Sequence, residues 1–313
     1  MPQWLFAAGA AATLASGSAV HVLDESDIPA IPVTADIIEL QHERFRRLTV
    51  PVTIQGTGPY RFLIDTGAQA TVISLQLADQ LQLGNRGKAT LVGMSSSRPV
   101  ETVAISEVGL GNRIISVHTA PLVPLANIGG ADGVLGLDTL QGQHVLLDFE
   151  QNRIALVDAE EAQDDGYEII VRARRKLGQL VIANARLNGI RIAVIVDTGA
   201  QGSIGNLALQ ERMRNRDRGT TELTDINGVT ASGDIGIGKG LELGRARIES
   251  FPIIYHDAPP FRALGLHDQP AMVLGMQELR LFKRVAIDFD KRRVMFDMPD
   301  NSRRNRPSRW FGG

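Results

Sequence analysis

Cysteine is absent from all 313 residues, which excludes disulfide staples and thiolate chemistry and leaves either redox compartment open. Histidine is scarce, and its six copies show no ligand spacing such as His-x-x-x-His, so a histidine-based metal site has no support and no cofactor is implied. Net charge is also slight, near −2, which gives no reason to expect nucleic acid or a strongly charged substrate. After residue 20 no apolar run approaches the length of about 20 residues that a membrane span needs. Aromatics are sparse at 5% while glycine reaches 32 residues, a balance that suits short strands joined by tight turns. The length allows two domains, each with a sizeable core.

One stretch occurs twice. Phe62-Leu63-Ile64-Asp65-Thr66-Gly67-Ala68-Gln69 returns as Val194-Ile195-Val196-Asp197-Thr198-Gly199-Ala200-Gln201, 132 positions later. Each copy opens with an apolar, largely β-branched run that reads as a buried strand. Each then turns at a glycine, leaving one carboxylate at a strand end. The surroundings repeat as well. A hairpin precedes each copy, over 47–64 and 178–196, the second with an Asn188-Gly189 turn. A second hairpin with a small polar tip follows, around Val92, Gly93, Met94 and Ser95 in one half and Asn227, Gly228 and Val229 in the other. These read either as ordinary surface hairpins or as mobile flaps over a cleft. Val134-Leu135-Gly136 and Val273-Leu274-Gly275 come next, then closing hairpins in which Asp148 and Asp288 read as structural residues ahead of a turn.

Duplicated halves bring Asp65 and Asp197 to a pseudo-twofold axis. Two carboxyls within a few ångströms cannot both ionise comfortably, so they share a proton and titrate in two steps. The ionised one can deprotonate a water, and the protonated one can donate to a carbonyl oxygen, a direct route to amide hydrolysis. Gly67 and Gly199 leave room for backbone N–H groups close to the carboxylates. Thr66 and Thr198 read either as bonds across the axis that hold the two loops or as simple turn chemistry.

On these residues the chain resembles aspartic peptidases of the retropepsin-like, pepsin-related superfamily: Asp65-Thr66-Gly67-Ala68 and Asp197-Thr198-Gly199-Ala200 behind apolar strands, each with its downstream apolar-apolar-Gly. The resemblance spans about 34–298 and looks like the single-chain bacterial form, with both aspartates in one polypeptide. It implies an all-β protein of two pseudo-twofold-related lobes with a cleft between them, an N-terminal lobe over 34–157 and a C-terminal lobe over 169–298. It further implies Asp65 and Asp197 as the catalytic dyad, supported by Thr66, Gly67, Ala68, Thr198, Gly199 and Ala200, with the two polar-tipped hairpins as flaps. A peptide or protein is the implied substrate, and a monomer suffices. Alanine after Asp-Thr-Gly, where acid-adapted relatives carry serine, implies a pH optimum nearer neutral. Gln69 and Gln201 depart from the retroviral pattern, which has an acid there, and Gly202, Ser203 and Gly205 make the second copy the looser match. Two rivals stand beside this reading. A sugar-kinase or actin-like ATPase needs longer helices than the sequence offers. A non-catalytic peptide- or protein-binding relative would keep the fold without turnover.

The remaining segments read as accessories. Residues 1–20 are apolar and end in small residues, as in a signal peptide for export to a periplasm or the exterior, although no Lys or Arg precedes the run. A misassigned start or an uncut anchor is the competing interpretation. Residues 158–168 hold five acids and no base up to Gly166 and read as a solvated linker. Residues 299–313 form a basic tail, either frayed or used for docking.

Overall fold

The computed structural model describes residues 48–158, 166–213 and 219–299, together with the backbone of four short strands at 4–6, 20–21, 36–39 and 41–42. Most of the expected leader, the middle of the acidic linker and nearly all of the basic tail therefore lie outside the described residues. The backbone of Trp4–Phe6 adds to the first sheet beside Thr90–Val92.

The protein is built mostly of β-strands in two lobes. In the first lobe, Leu48–Ile54 and Thr57–Ile64 form a hairpin. The turn residues Gln55 and Gly56 both have positive φ, 50° and 73°. The second lobe repeats this with Gln179–Leu187 and Ile190–Val196 around Asn188 and Gly189, at 51° and 78°. Positive φ at both central residues is the turn that matches strand twist, and Asn-Gly is the pair that adopts it most readily.

The apolar run before each aspartate is continuous rather than alternating because its strand is covered on both faces. Phe62–Ile64 lies parallel to Gly133–Leu135, and Ala193–Val196 lies parallel to Ala271–Leu274. Those partners are the apolar-apolar-Gly segments of the sequence. Each also pairs, antiparallel, with the short strand that follows the aspartate loop, Val72–Ser74 or Ser203–Gly205. The loop thus starts and ends on two strands clamped to a common third, which fixes its position against a rigid support. Pairing of Thr53–Ile54 with Val108–Gly109, and of Arg186–Leu187 with Leu241–Glu242, closes each sheet into a six-strand barrel.

A third sheet joins the lobes. Gln143–Asp148 of the first pairs antiparallel with Arg284–Asp288 of the second, with Leu146 opposite Ala286 at its centre. Val145, Leu147, Val285 and Ile287 point into one hydrophobic core shared by both lobes. Asp148 and Asp288 take the structural part read from the sequence: each accepts a bond from a backbone N–H three residues on, Gln151 N at 2.8 Å and Lys291 N at 2.7 Å.

Candidate active site

The two Asp-Thr-Gly loops meet where the lobes face each other. Thr66 Oγ1 donates to Val196 O at 2.9 Å, and Thr198 Oγ1 donates to Ile64 O at 2.7 Å, so each hydroxyl binds the residue beneath the other lobe's aspartate. The same hydroxyls accept in return: Thr198 N–H reaches Thr66 Oγ1 at 3.2 Å, and Thr66 N–H reaches Thr198 Oγ1 at 3.1 Å. Of the two readings open for these threonines, the cross-axis bonds are the ones formed.

Asp65 and Asp197 are brought together by this arrangement, only 2% and 1% exposed. Oδ1 of Asp65 accepts from Gly67 N at 2.9 Å and Ala68 N at 2.8 Å. Oδ1 of Asp197 accepts from Gly199 N at 2.8 Å and Ala200 N at 3.2 Å. Gly67 must be glycine because a Cβ there would fall 2.4 Å from the Asp197 carboxyl. Gln179 adds a crosslink by donating through Nε2 to Gly67 O, and Gln69 Nε2 donates to Leu177 O at 2.7 Å. Burial pushes the Asp197 carboxyl up to about 6. Burial first, and then the charge and hydrogen bond of Asp197, raise Asp65 well above the ordinary carboxylate range. The pair therefore holds one proton between its two titration steps, with Asp65 the better keeper. A carboxylate and a carboxylic acid side by side can activate a water and polarise a carbonyl in the same encounter. Among the described residues no cluster of side chains is arranged to hold a metal ion.

Behind each loop sits a further carboxyl that the sequence did not single out. In the first lobe Thr71 donates through both N and Oγ1 to Asp138, at 2.9 and 2.7 Å. In the second, Ser203 Oγ donates to Glu278 Oε2 at 2.6 Å. Glu278 lies in the short helix Met276–Leu279, and burial pushes it up to about 7. Its only signal in the sequence is its place, an acid three residues after Val273-Leu274-Gly275.

The two polar-tipped hairpins are not independent, and of the tip residues 93–96 and 225–229 just Gly228 is exposed. Strands Gly87–Val92 and Ser97–Leu110 carry one tip, and Thr220–Thr224 and Thr230–Leu243 carry the other. Each tip inserts a side chain into the opposite lobe. Met94 joins the second lobe's cluster with Ala200, Ile204 and Phe261. Ile226 joins the first lobe's cluster with Ala68, Leu91 and Val134. Asp225, which nothing in the sequence marks, ties the tips together. Its Oδ2 accepts from Ser95 N at 3.2 Å and Ser96 Oγ at 2.7 Å across the lobes. Its Oδ1 accepts from Asn227 N and Val229 N, both at 3.0 Å. Asn227 Nδ2 adds bonds to Leu91 O at 3.2 Å and Ser96 Oγ at 3.0 Å. A Cβ at Gly93 would collide with the Asp225 carboxyl, and one at Gly228 would crowd Asn127 at 2.8 Å. Of the flap residues named from sequence, Gly93, Met94, Ser95 and Asn227 to Val229 are in this contact, and Val92 lines an adjoining cleft pocket. The mobile tips expected from composition are here latched to each other.

A family model described as "Aspartyl protease" matches the chain twice, over residues 50–139 and 183–277. Each match takes in one aspartate loop, the polar-tipped hairpin that follows it and its apolar-apolar-Gly strand. No curated protein matches the chain.

Replacing Asp225 with Ala strips four bonds from a charged acceptor and should cost about 1–3 kcal/mol of stability. Hydrogen exchange at the Ser95, Asn227 and Val229 amides should quicken selectively, whereas unchanged exchange there would mean the latch does not hold the tips. Glu278 binds a proton more tightly folded than unfolded, so its contribution to stability is full below about pH 4.5 and is lost as pH rises to about 7. That displacement corresponds to roughly 3 kcal/mol at most. Glu278→Gln, which keeps an acceptor for Ser203, should flatten this fall in melting temperature between those two pH values.

Proposed function

Because the chain belongs to the aspartyl protease family, we propose that it is an endopeptidase of the retropepsin-like type that cleaves peptide bonds with a water activated between Asp65 and Asp197. The observation that carries this reading is the buried pair itself: one carboxyl from each lobe, each pinned through Oδ1 by two N–H donors of its own loop. The ionised aspartate takes a proton from water as the oxygen attacks the scissile carbonyl. The protonated one donates to the carbonyl oxygen, giving a neutral tetrahedral diol. Collapse breaks the C–N bond as a carboxyl proton passes to the leaving nitrogen. Thr66 and Thr198 hold the loops in register, and Gly67 and Gly199 supply the N–H groups. Both halves reside in one chain, so a monomer is sufficient in this scheme.

The pH dependence has a definite sign. Activity needs the singly protonated pair. Below about 6 Asp197 gains its proton and the base is lost; at high pH Asp65 gives up its own and the acid is lost. The profile of kcat/KM should therefore rise toward neutral, where an optimum near pH 2–3 would contradict the scheme. On an unbiased peptide mixture across pH 3–8, Asp65→Asn and Asp197→Asn should each cut turnover by about 10²–10⁴-fold with circular dichroism unchanged. Loss in one variant alone would mean the second aspartate is structural. A wild type inert at every pH would favour the non-catalytic, peptide-binding alternative.

The same proposal places the protein outside the cytoplasm, supported by the apolar, small-residue segment 4–20. Mature protein should be recovered from the periplasmic or secreted fraction with its N-terminus near residue 20. An intact Met1 in the cytosol would contradict this.

A further inference from the structure

The cleft contains a pocket of about 560 Å³, walled by Val92 of one flap together with Leu177, Pro259 and Ala263 of the second lobe, and by Gln69 of the Asp65 loop. Its lining is mostly aliphatic, and the one cation on its rim, Arg262, is matched by Asp257 at 2.6 Å. A second concavity of about 240 Å³ lies next to it, where Arg174, Lys176 and Arg191 stand over a floor that includes Val181, Ile192 and Leu266. The two have no lining residue in common, but their walls are continuous along the chain. Leu177 follows Lys176 directly, and Lys176 Nζ donates to Leu264 O at 3.0 Å, one residue beyond Ala263.

The three cations of the second concavity meet no acid among the described residues. Arg191 donates to Ala183 O at 3.2 Å and Asn184 Oδ1 at 2.9 Å, both neutral. Lys176 has only the Leu264 carbonyl. Arg174 is exposed and makes no hydrogen bond or ion pair there. The nearby Asp268 is turned onto His267 at 2.9 Å. Some exposed arginines elsewhere are matched, Arg86 with Asp79 and Arg247 with Glu242 and Glu249, while others, such as Arg98 and Arg186, stand singly without an acid among the described residues. In a chain of net charge −2, three unmatched cations lining one concavity are a local concentration of positive charge rather than the overflow of a basic protein. They also flank a sheet edge: among the described residues Arg174–Lys176 pairs only with Gln179–Val181.

We propose that Arg174, Lys176 and Arg191 form a subsite for an acidic side chain of the substrate, lying outward of the apolar pocket. This rests on the proteolytic reading above and adds a substrate class: peptides with a large apolar residue beside the scissile bond and a Glu or Asp farther along the same side. The apolar pocket takes the first. The second brings its carboxylate to the cations while its methylene stem lies on Val181, Ile192 and Leu266. Exposed charge pairs contribute modestly and are screened by salt, so the subsite acts on selection rather than on the chemical step.

The test is a peptide set with a fixed apolar residue at the cleavage position and Glu or Gln placed in turn at each flanking position. One position should favour Glu over Gln by about fivefold to twentyfold in kcat/KM at low ionic strength, a preference that shrinks as salt is added. In the double variant Arg174→Glu/Arg191→Glu the ratio should fall to one or below, and Lys should become the preferred residue there. Absence of any Glu-preferring position, or a preference that survives the double variant, would overturn the proposal. Should wild type cleave none of the peptides, the proteolytic reading fails by itself. Fluorescence anisotropy with the same labelled peptides then decides the subsite: tighter binding of a Glu peptide, lost in the double variant, supports it, and equal binding of Glu and Gln peptides overturns it.

Discussion

Two carboxyl groups held together out of water repel each other, and much of the architecture acts against that repulsion. Burial alone raises the proton affinity of both, and proximity raises that of Asp65 further. Sharing a proton removes most of the conflict, but only if the loops cannot move apart. The four bonds of the Thr66–Thr198 exchange meet this need at the closest point, the joining sheet through Leu146 and Ala286 meets it from beneath, and the crossed flap tips meet it from above. None of these would hold the lobes in register as well alone. The N–H groups of Gly67, Ala68, Gly199 and Ala200 then stabilise whichever carboxylate is ionised, which keeps one of the pair charged despite its burial.

Duplication supplies the frame, and its departures from symmetry are where the halves take on different work. Ser74 and Asn206 stand 132 positions apart and each accepts a bond from a helix N–H, at Leu77 and Leu209. Behind the loops the match loosens: Thr71 leans on Asp138, while Ser203 leans on Glu278, one position farther along the corresponding helix. At the flap tips it breaks. Met94 and Ile226 are equivalent and exchange lobes symmetrically, yet the residues before them are Gly93 and Asp225. A second carboxylate at position 93 would meet the first head-on, since even a bare Cβ there would fall 2.4 Å from Asp225 Oδ2. One glycine and one aspartate let a single anion collect donors from both tips.

The parts legible in the sequence are those whose signal is local. A buried strand ending in Asp-Thr-Gly announces itself by a continuous β-branched run, because parallel neighbours cover both faces of Phe62–Ile64 and Ala193–Val196. The Asn188-Gly189 turn is likewise written in two adjacent residues. Asp225 carries no such mark. Its partners Ser95 and Ser96 lie 130 and 129 residues away, so in sequence it is one polar residue in a polar tip. Glu278 sits in a four-residue helix whose composition does not reveal that it points inward onto Ser203. The tips read as mobile in sequence because composition reports polarity, not the depth to which Met94 and Ile226 are buried on the far side.

That crossed packing also constrains how the cleft can open. Asp65 and Asp197 are almost wholly buried, and on the proteolytic reading proposed above a peptide would have to enter beneath the latched tips. Met94 cannot leave the second lobe's cluster without straining Ser95 and Ser96 against Asp225, and Asp225 cannot yield without drawing Ile226 from the first lobe's cluster. The two tips are therefore coupled through one carboxylate, so that parting one would also require parting the other. Withdrawing two fully buried apolar side chains costs about 1.5–3 kcal/mol each, before the charge-assisted bonds are counted. A gap of that size leaves the open form a minor population, on the order of 1% or less at equilibrium. On the proposed reading, substrate binding would supply what parting the tips costs by filling the apolar volume that Met94 and Ile226 vacate. If the chain cleaves peptides as proposed, the latch would make apolar bulk next to the dyad a condition of entry and would leave charge recognition to positions farther out along the cleft.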